Sequence, residues 1–318
     1  MDTANMRPRT TAMLLAVGAI FGSSFLLVKF LVTEISPGQI TAWRLLFGGL
    51  AVMAMLASRG DLRLPQRSLV VKSTVLGLLD SVIPNTLLAW SQIRIDSSIA
   101  AVLISSMPLF TVLFAMALPR SEPLSAAKAG GLVMGIAGVA ILVGANSSGA
   151  VSGPPTAHLA VILAAMSNAA AVVYARTLLT EQDPLQLSGL KLVVGAIITL
   201  AVVGGVQRDV AMPTMGAGAW CALITLGVLS NGVGRTMYLS LIASAGSVRA
   251  SLVAYIVPVV GVMLGWLVLG ERIGVGAAPG IVMIGCGMAL VTHGPQIANG
   301  IQCGLERACA RIITPHAR

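Results

Sequence analysis

The chain has 318 residues, of which 56% are apolar and only 10% charged, and its mean hydropathy is +0.92. Soluble domains carry about 25% charged residues, so this balance excludes a soluble globular protein and identifies an integral membrane protein. The net charge of +9 is spread over short connections rather than gathered in one stripe, and no nucleic-acid partner is expected.

The first apolar run begins after Arg7 and Arg9 and continues to about Val32. It is too long for a signal-peptide core and lacks a small-x-small exit, so it reads as a first spanning helix. Apolar stretches near the ~20 residues needed to cross a bilayer recur along the chain, without the two-residue alternation of barrel strands. Cutting at charged, Gly and Pro connections predicts about ten spans. They fall at 12–33, 37–58, 69–93, 97–118, 124–145, 157–178, 185–206, 217–243, 246–269 and 274–293. Outside them lie a short N-terminus (1–11), a connecting loop (146–156) and a polar tail (294–318). In the tail, Ile297, Ile301, Leu305, Ala308 and Ile312 fall at helical spacing beside Arg307 and Arg311. A helix on the membrane surface and a frayed tail are both open there.

An even number of spans puts both termini on one side. If that side is the cytoplasm, inner segments carry Arg7, Arg9, Arg59, Arg63, Arg67, Lys72, Arg120, Lys128, Arg176, Arg249, Arg307, Arg311 and Arg318. Outer ones carry Lys29, Arg94, Arg208 and Arg272. The bias of basic residues predicts a multi-pass protein of the cell (inner) membrane with both termini cytoplasmic. Cys221, Cys286, Cys303 and Cys309 form no CxxC or Cys/His spacing, so neither a metal site nor a cofactor is expected.

The two halves repeat one another. Lys29, Thr33, Glu34, Pro37, Gln39, Arg44 and Gly48 meet Arg176, Thr180, Glu181, Pro184, Gln186, Lys191 and Gly195 at one offset. At a slightly larger offset, Gly77 meets Gly227, Thr86 meets Thr236, Ala100 meets Ala250 and Pro108 meets Pro258; Glu122 then meets Glu271 after a one-residue slip. Chance likeness of apolar text would not hold charged, Pro and Gly positions in register. Each unit (12–145 and 157–293) has an odd number of spans, so the second is inserted upside down relative to the first. Inverted repeats suit secondary transporters, because exchanging the conformations of two similar halves moves the opening of a cavity from one side to the other. The fold expected is an all-α integral membrane protein of ten transmembrane helices, arranged as two inverted-topology five-helix repeats around a central cavity.

GSSFLLVK in the first span, TAWRLLFGGL in the second, and the paired runs that start at Ile99 and Val248 resemble the EamA-type family of the drug/metabolite transporter superfamily. The resemblance covers about residues 12–293. It implies a cavity lined mainly by helices 1, 3, 4, 6, 8 and 9, and outward movement of small metabolites or amino acids. One departure is Phe21, where the family commonly has Trp before the first-span Gly.

The charged residues within spans are Asp80, Arg44, Lys191 and Arg235. Each costs roughly 2.5–3.5 kcal/mol at a helix centre and should face protein or water. Counting from the inner ends of their spans, Asp80 and Arg235 differ in depth by about 3 Å. In the repeat Asp80 matches Ser230 and Arg235 matches Asn85, so the pair breaks the symmetry in complementary ways. It reads either as a substrate-engaging or proton-responsive pair, or as a static ion pair that fixes helix packing. Arg44 and Lys191 read as structural cations near the rim of each half, snorkelling or holding carbonyls. Asn231, Asn168, Asn85, Trp90 and Tyr174 complete the candidate substrate contacts, with interhelical hydrogen bonding the competing reading for the amides. Pro84, Pro108 and Pro258 are candidate hinges, since a proline frees a carbonyl and bends its helix. GxxxG at Gly131–Gly135 and at Gly276–Gly280 allows close helix approach, within the monomer or in a weak homodimer.

The expected function is secondary active export of a small polar metabolite, amino acids or related compounds among them, by alternating access. A channel or uncoupled facilitator is the nearest alternative, although sparse polar residues do not supply a continuous polar lining. No protease, nucleophile-elbow or P-loop motif supports an enzyme or an ATP-driven pump.

Overall fold

A computed structural model describes residues 8–61, 65–116, 125–144, 152–178, 182–207, 214–245, 250 and 253–292. The helices are α1 (Pro8–Leu31), α2 (Pro37–Ser58), α3 (Arg67–Gly77), α4 (Ile83–Gln92), α5 (Ser97–Ile104), α6 (Met107–Met116), α7 (Ala126–Gly144), α8 (Pro155–Leu178), α9 (Pro184–Gln207), α10 (Ala217–Thr225), α11 (Arg235–Ala245) and α12 (Val253–Leu269). A final helix, α13 (Val275–Thr292), opens with a turn of 3-10 helix. Among the described residues eight helical stretches are long and apolar enough to cross a membrane, and α12 is a shorter apolar helix of 17 residues. The run from α3 to α4 is helical throughout but carries Asp80, Asn85 and Gln92. The expected tail helix lies outside the described residues, as do Thr180, Glu181, Glu122 and Arg249.

The starts of α2 and α9 follow from local chemistry. Ser36 Oγ accepts the Gln39 N–H at 3.3 Å while Gln39 Oε1 accepts the Ser36 N–H at 3.2 Å, with Pro37 preset at the first helical position. At the matching place Asp183 Oδ1 accepts the N–H groups of Leu185 and Gln186 at 2.7 and 3.2 Å, ahead of Pro184.

Large apolar side chains point outward, as hydrocarbon requires: Val133, Val259 and Trp266 are 69%, 66% and 62% exposed. Inside, α2 packs along α9 and α1 along α12. Two matched contacts draw the halves together. A Cβ on Gly77 would stand 2.7 Å from the Lys191 carbonyl oxygen, and one on Gly227 would stand 2.9 Å from the Arg44 carbonyl oxygen, so only glycine allows either approach. The hydrogen bonds agree: Thr86 Oγ1 donates to Thr41 Oγ1 at 3.2 Å, and its repeat mate Thr236 donates to Ser188 Oγ at 3.0 Å. Small residues also join α7 to α13, where a Cβ on Gly131 would meet the Gly287 carbonyl at 2.8 Å. The GxxxG of α7 is thus used within the monomer, and on α13 the close approach is made by Gly280 and Gly287.

The prolines act differently from one another. Pro108 lacks an N–H and crowds the Ile104 carbonyl, and the helix breaks at Ser105 and Ser106 between α5 and α6. Those hydroxyls donate back to the carbonyls of Ala101 and Leu103, both at 2.7 Å. Pro258 sits inside α12 without breaking it. Pro84 follows a π-helical segment, Leu78–Val82, that takes up the residue left over where the Asp80 carbonyl loses its α-helical partner. A second π segment, Leu226–Gly234, occupies the matching place in the second half and holds Gly227, Gly232 and Gly234.

Candidate functional site

The π segments bring the charged residues together. Asp80 sits in the first, and Arg235 follows the last residue of the second. Arg235 Nη1 donates to Asp80 Oδ1 at 2.5 Å, and Lys191 Nζ donates to Asp80 Oδ2. One carboxylate therefore holds two cations, with side-chain exposures of 11% for Asp80, 16% for Arg235 and 1% for Lys191. Ser81 Oγ adds a long contact of 3.4 Å to Asp80 Oδ2. The Arg235 guanidinium lies 5.5 Å from the Phe21 ring centre, and Phe21 meets Tyr238 edge-on at 5.9 Å. Phe21 thus supplies an aromatic face to this arginine.

The group borders a cavity of ≈ 120 Å³. Its wall draws on α1 (Phe21, Ser24), the α3–α4 run (Asp80, Asn85, Gln92), the α5–α6 break (Ser105, Pro108), α8 (Asn168), the second π segment with α11 (Ser230, Arg235) and α12 (Ala254, Val257). These are the six predicted segments. Arg44 of α2 joins them, because Gly48 and Gly227 let α2 come close to the second π segment.

Several expectations need correcting. Lys191 is not a rim cation that snorkels or holds carbonyls: it is buried against Asp80. Arg44 is likewise 4% exposed, and its Nη2 donates to Asn231 Oδ1 at 3.2 Å. Asn231 is therefore behind the wall rather than among the lining residues. Trp90 packs with the core around Ile95 and Ile99 and carries Arg94 over its ring at 4.5 Å, and Tyr174 packs beside Leu76 and Leu239. Neither borders the described cavity. Asn85 and Asn168 do, and Asn85 Nδ2, Asn168 Oδ1 and Gln92 Oε1 are buried without a hydrogen-bond partner among the described residues.

Residues that sequence reasoning missed include Ser105 and Ser230, hidden by their ordinariness, and a cluster at one end of the bundle. There the Glu271 carboxylate accepts the N–H and hydroxyl of both Ser97 and Ser98, at 2.6 to 3.0 Å. Gly270, with φ of +68°, closes α12 and turns Glu271 back towards the start of α5. Lys29 Nζ donates to the carbonyls of Gln92 and Ile95 at 2.9 and 2.8 Å, neutralising the C-terminal end of α4.

Apolar outward faces around a cavity bordered by Asp80, Arg44 and Arg235 define a multi-pass helical membrane protein with an internal cavity. The description "EamA-like transporter family" matches residues 9–144 and again residues 155–293, and the chain belongs to that family. Among its relatives, "Uncharacterized inner membrane transporter YedA" of Escherichia coli strain K12 is 25% identical over 304 residues, 91% of this chain and 94% of that one. "Uncharacterized transporter YoaV" of Bacillus subtilis is 24% identical over 280 residues, covering 88% and 95%. A solved crystal structure superposes with a TM-score of 0.64 at 22% identity, over 90% of this chain and 97% of the other, which supports the fold. The protein is a membrane transporter.

Proposed function

We propose that the protein is a secondary active transporter that exports small polar metabolites, amino acids or related compounds among them, by alternating access. The two-fold family match, the paired π segments and the matched contacts Gly77–Lys191 and Gly227–Arg44 support two five-helix repeats of opposite orientation. On this reading the α3–α4 run and α12 cross the membrane with the eight longer stretches, making ten helices. The bias of basic residues supports an inner-membrane protein with both termini cytoplasmic. The Glu271 cluster then ties the extracytoplasmic end.

The observation that carries the proposal is the cavity itself, walled by corresponding segments of both halves and holding the Asp80–Arg235 pair. In that reading Asp80 and Arg235 engage substrate, Asn85 and Asn168 orient it, and Pro84, Pro108 and Pro258 are pivots. Lys191 holds Asp80 in place. The protein acts as a monomer or weak homodimer. Counterflow in proteoliposomes tests the reading with a metabolite panel. Saturable, trans-stimulated exchange is expected, whereas ohmic conductance would favour a channel and sink the carrier.

A further inference from the structure

Arg44 and Lys191 occupy matched places in the two halves, yet their surroundings differ. Lys191 has Asp80. The residue that matches Asp80 in the second half is Ser230, so Arg44 finds no carboxylate there. Among the described residues its hydrogen bond runs from Nη2 to Asn231 Oδ1, and its Nε has no partner. Arg44 borders the cavity together with Arg235, whose own counter-charge is already shared with Lys191. Three cations thus stand against one carboxylate, and among the described lining residues Asp80 is the only acid. A cation buried without a counter-charge is strongly unfavourable, and the chamber beside it is where compensation can arrive.

We infer that the chamber takes a small organic anion whose carboxylate meets Arg44 and Arg235. A guanidinium fork matches a carboxylate in shape as well as charge. The unpartnered Asn168 Oδ1 and Gln92 Oε1 are acceptors, so the same molecule carries a hydroxyl or amino donor. This inference rests on the cavity being the transport site and adds the substrate's charge and functional groups.

The test uses the full chain in detergent, with thermal unfolding read against L-malate, L-glutamate, inorganic phosphate, L-glutamine and putrescine at constant ionic strength. Malate or glutamate is expected to raise the melting temperature saturably, and glutamine and putrescine are not. Arg44→Gln should weaken the anion's apparent affinity at least tenfold, and Arg44→Lys should restore part of it. Without added anion, Arg44→Gln should melt no lower than the wild type. A response to phosphate alone overturns the carboxylate assignment. No response to any anion, an equal response to glutamine or putrescine, or an unchanged anion response in Arg44→Gln overturns the inference altogether. Counterflow separates this from the carrier reading: saturable exchange of only neutral or cationic solutes would leave the carrier standing and remove the anion, while ohmic anion flux would do the reverse.

Discussion

Arg235 Nη1 stands 2.5 Å from Asp80 Oδ1, joining the two halves of the chain across the wall of one chamber. The pair is reinforced by Lys191, so the carboxylate is the shared centre of a buried triad. Removing it leaves two cations facing each other without a counter-charge.

Asp80→Asn is therefore expected to cost roughly 3–5 kcal/mol of stability, the range for breaking a buried ion pair. Thermal unfolding in detergent checks this. An unchanged midpoint would mean that the triad contributes nothing to the fold.

Much of this was legible beforehand. The spacing of charged, Pro and Gly residues points to a repeat, which the family match over residues 9–144 and again over 155–293 supports, and the depths of Asp80 and Arg235 predict their pairing. Counting from the end of its own span places Lys191 near the rim, whereas the structure buries it against Asp80. It lies about four residues shallower than Asp80, a gap of about 6 Å along the axis, which a lysine side chain bridges. Residue type alone points Trp90 and Tyr174 to the site, but helix rotation, which depends on packing by neighbours, turns them to other contacts. The π segments have no sequence signature beyond Pro84 and the glycines of the second one, and they set which faces of these helices meet the chamber. The sequence marks Glu271 as a recurrent acid, while its partners Ser97 and Ser98 are set by the end-to-end meeting of α5 and α12, which has no local signal in the sequence.

Glycine substitutions distinguish the close contacts from open faces. Gly131→Ala would place its methyl group 2.8 Å from the Gly287 carbonyl and is expected to lose about 1–3 kcal/mol. Gly130→Ala meets nothing within 4 Å and should gain up to about 1 kcal/mol from helix propensity. Parallel melting curves of the two variants give the comparison, and equal losses would show that α7 and α13 do not pack as described.

Glu271→Ala removes the acceptor shared by two backbone N–H groups and two hydroxyls at the start of α5. The expected loss is about 1–2 kcal/mol, that of a strong helix cap. Faster amide hydrogen exchange confined to the first turn of α5 is the measurement. Uniform exchange rates across wild type and variant would contradict the capping role.

Lys29→Met leaves the Gln92 and Ile95 carbonyls without their cation and should cost about 0.5–2 kcal/mol. Lys29→Arg, which can reach the same carbonyls, should recover most of it. Equal instability of both variants in chemical unfolding would show that the stem of Lys29, not its charge, matters.

The central claim is that one chamber opens to each side of the membrane in turn. Ser24 borders that chamber, and its hydroxyl donates to the Phe21 carbonyl of its own helix, the one hydrogen bond it makes among the described residues, so Ser24→Cys is a light replacement. In a background with the four native cysteines replaced, this thiol is treated in proteoliposomes with a membrane-impermeant maleimide applied from one side at a time. The account predicts modification from either side, with saturating transported solute changing the ratio of the two rates. Modification from one side alone under every condition would contradict it.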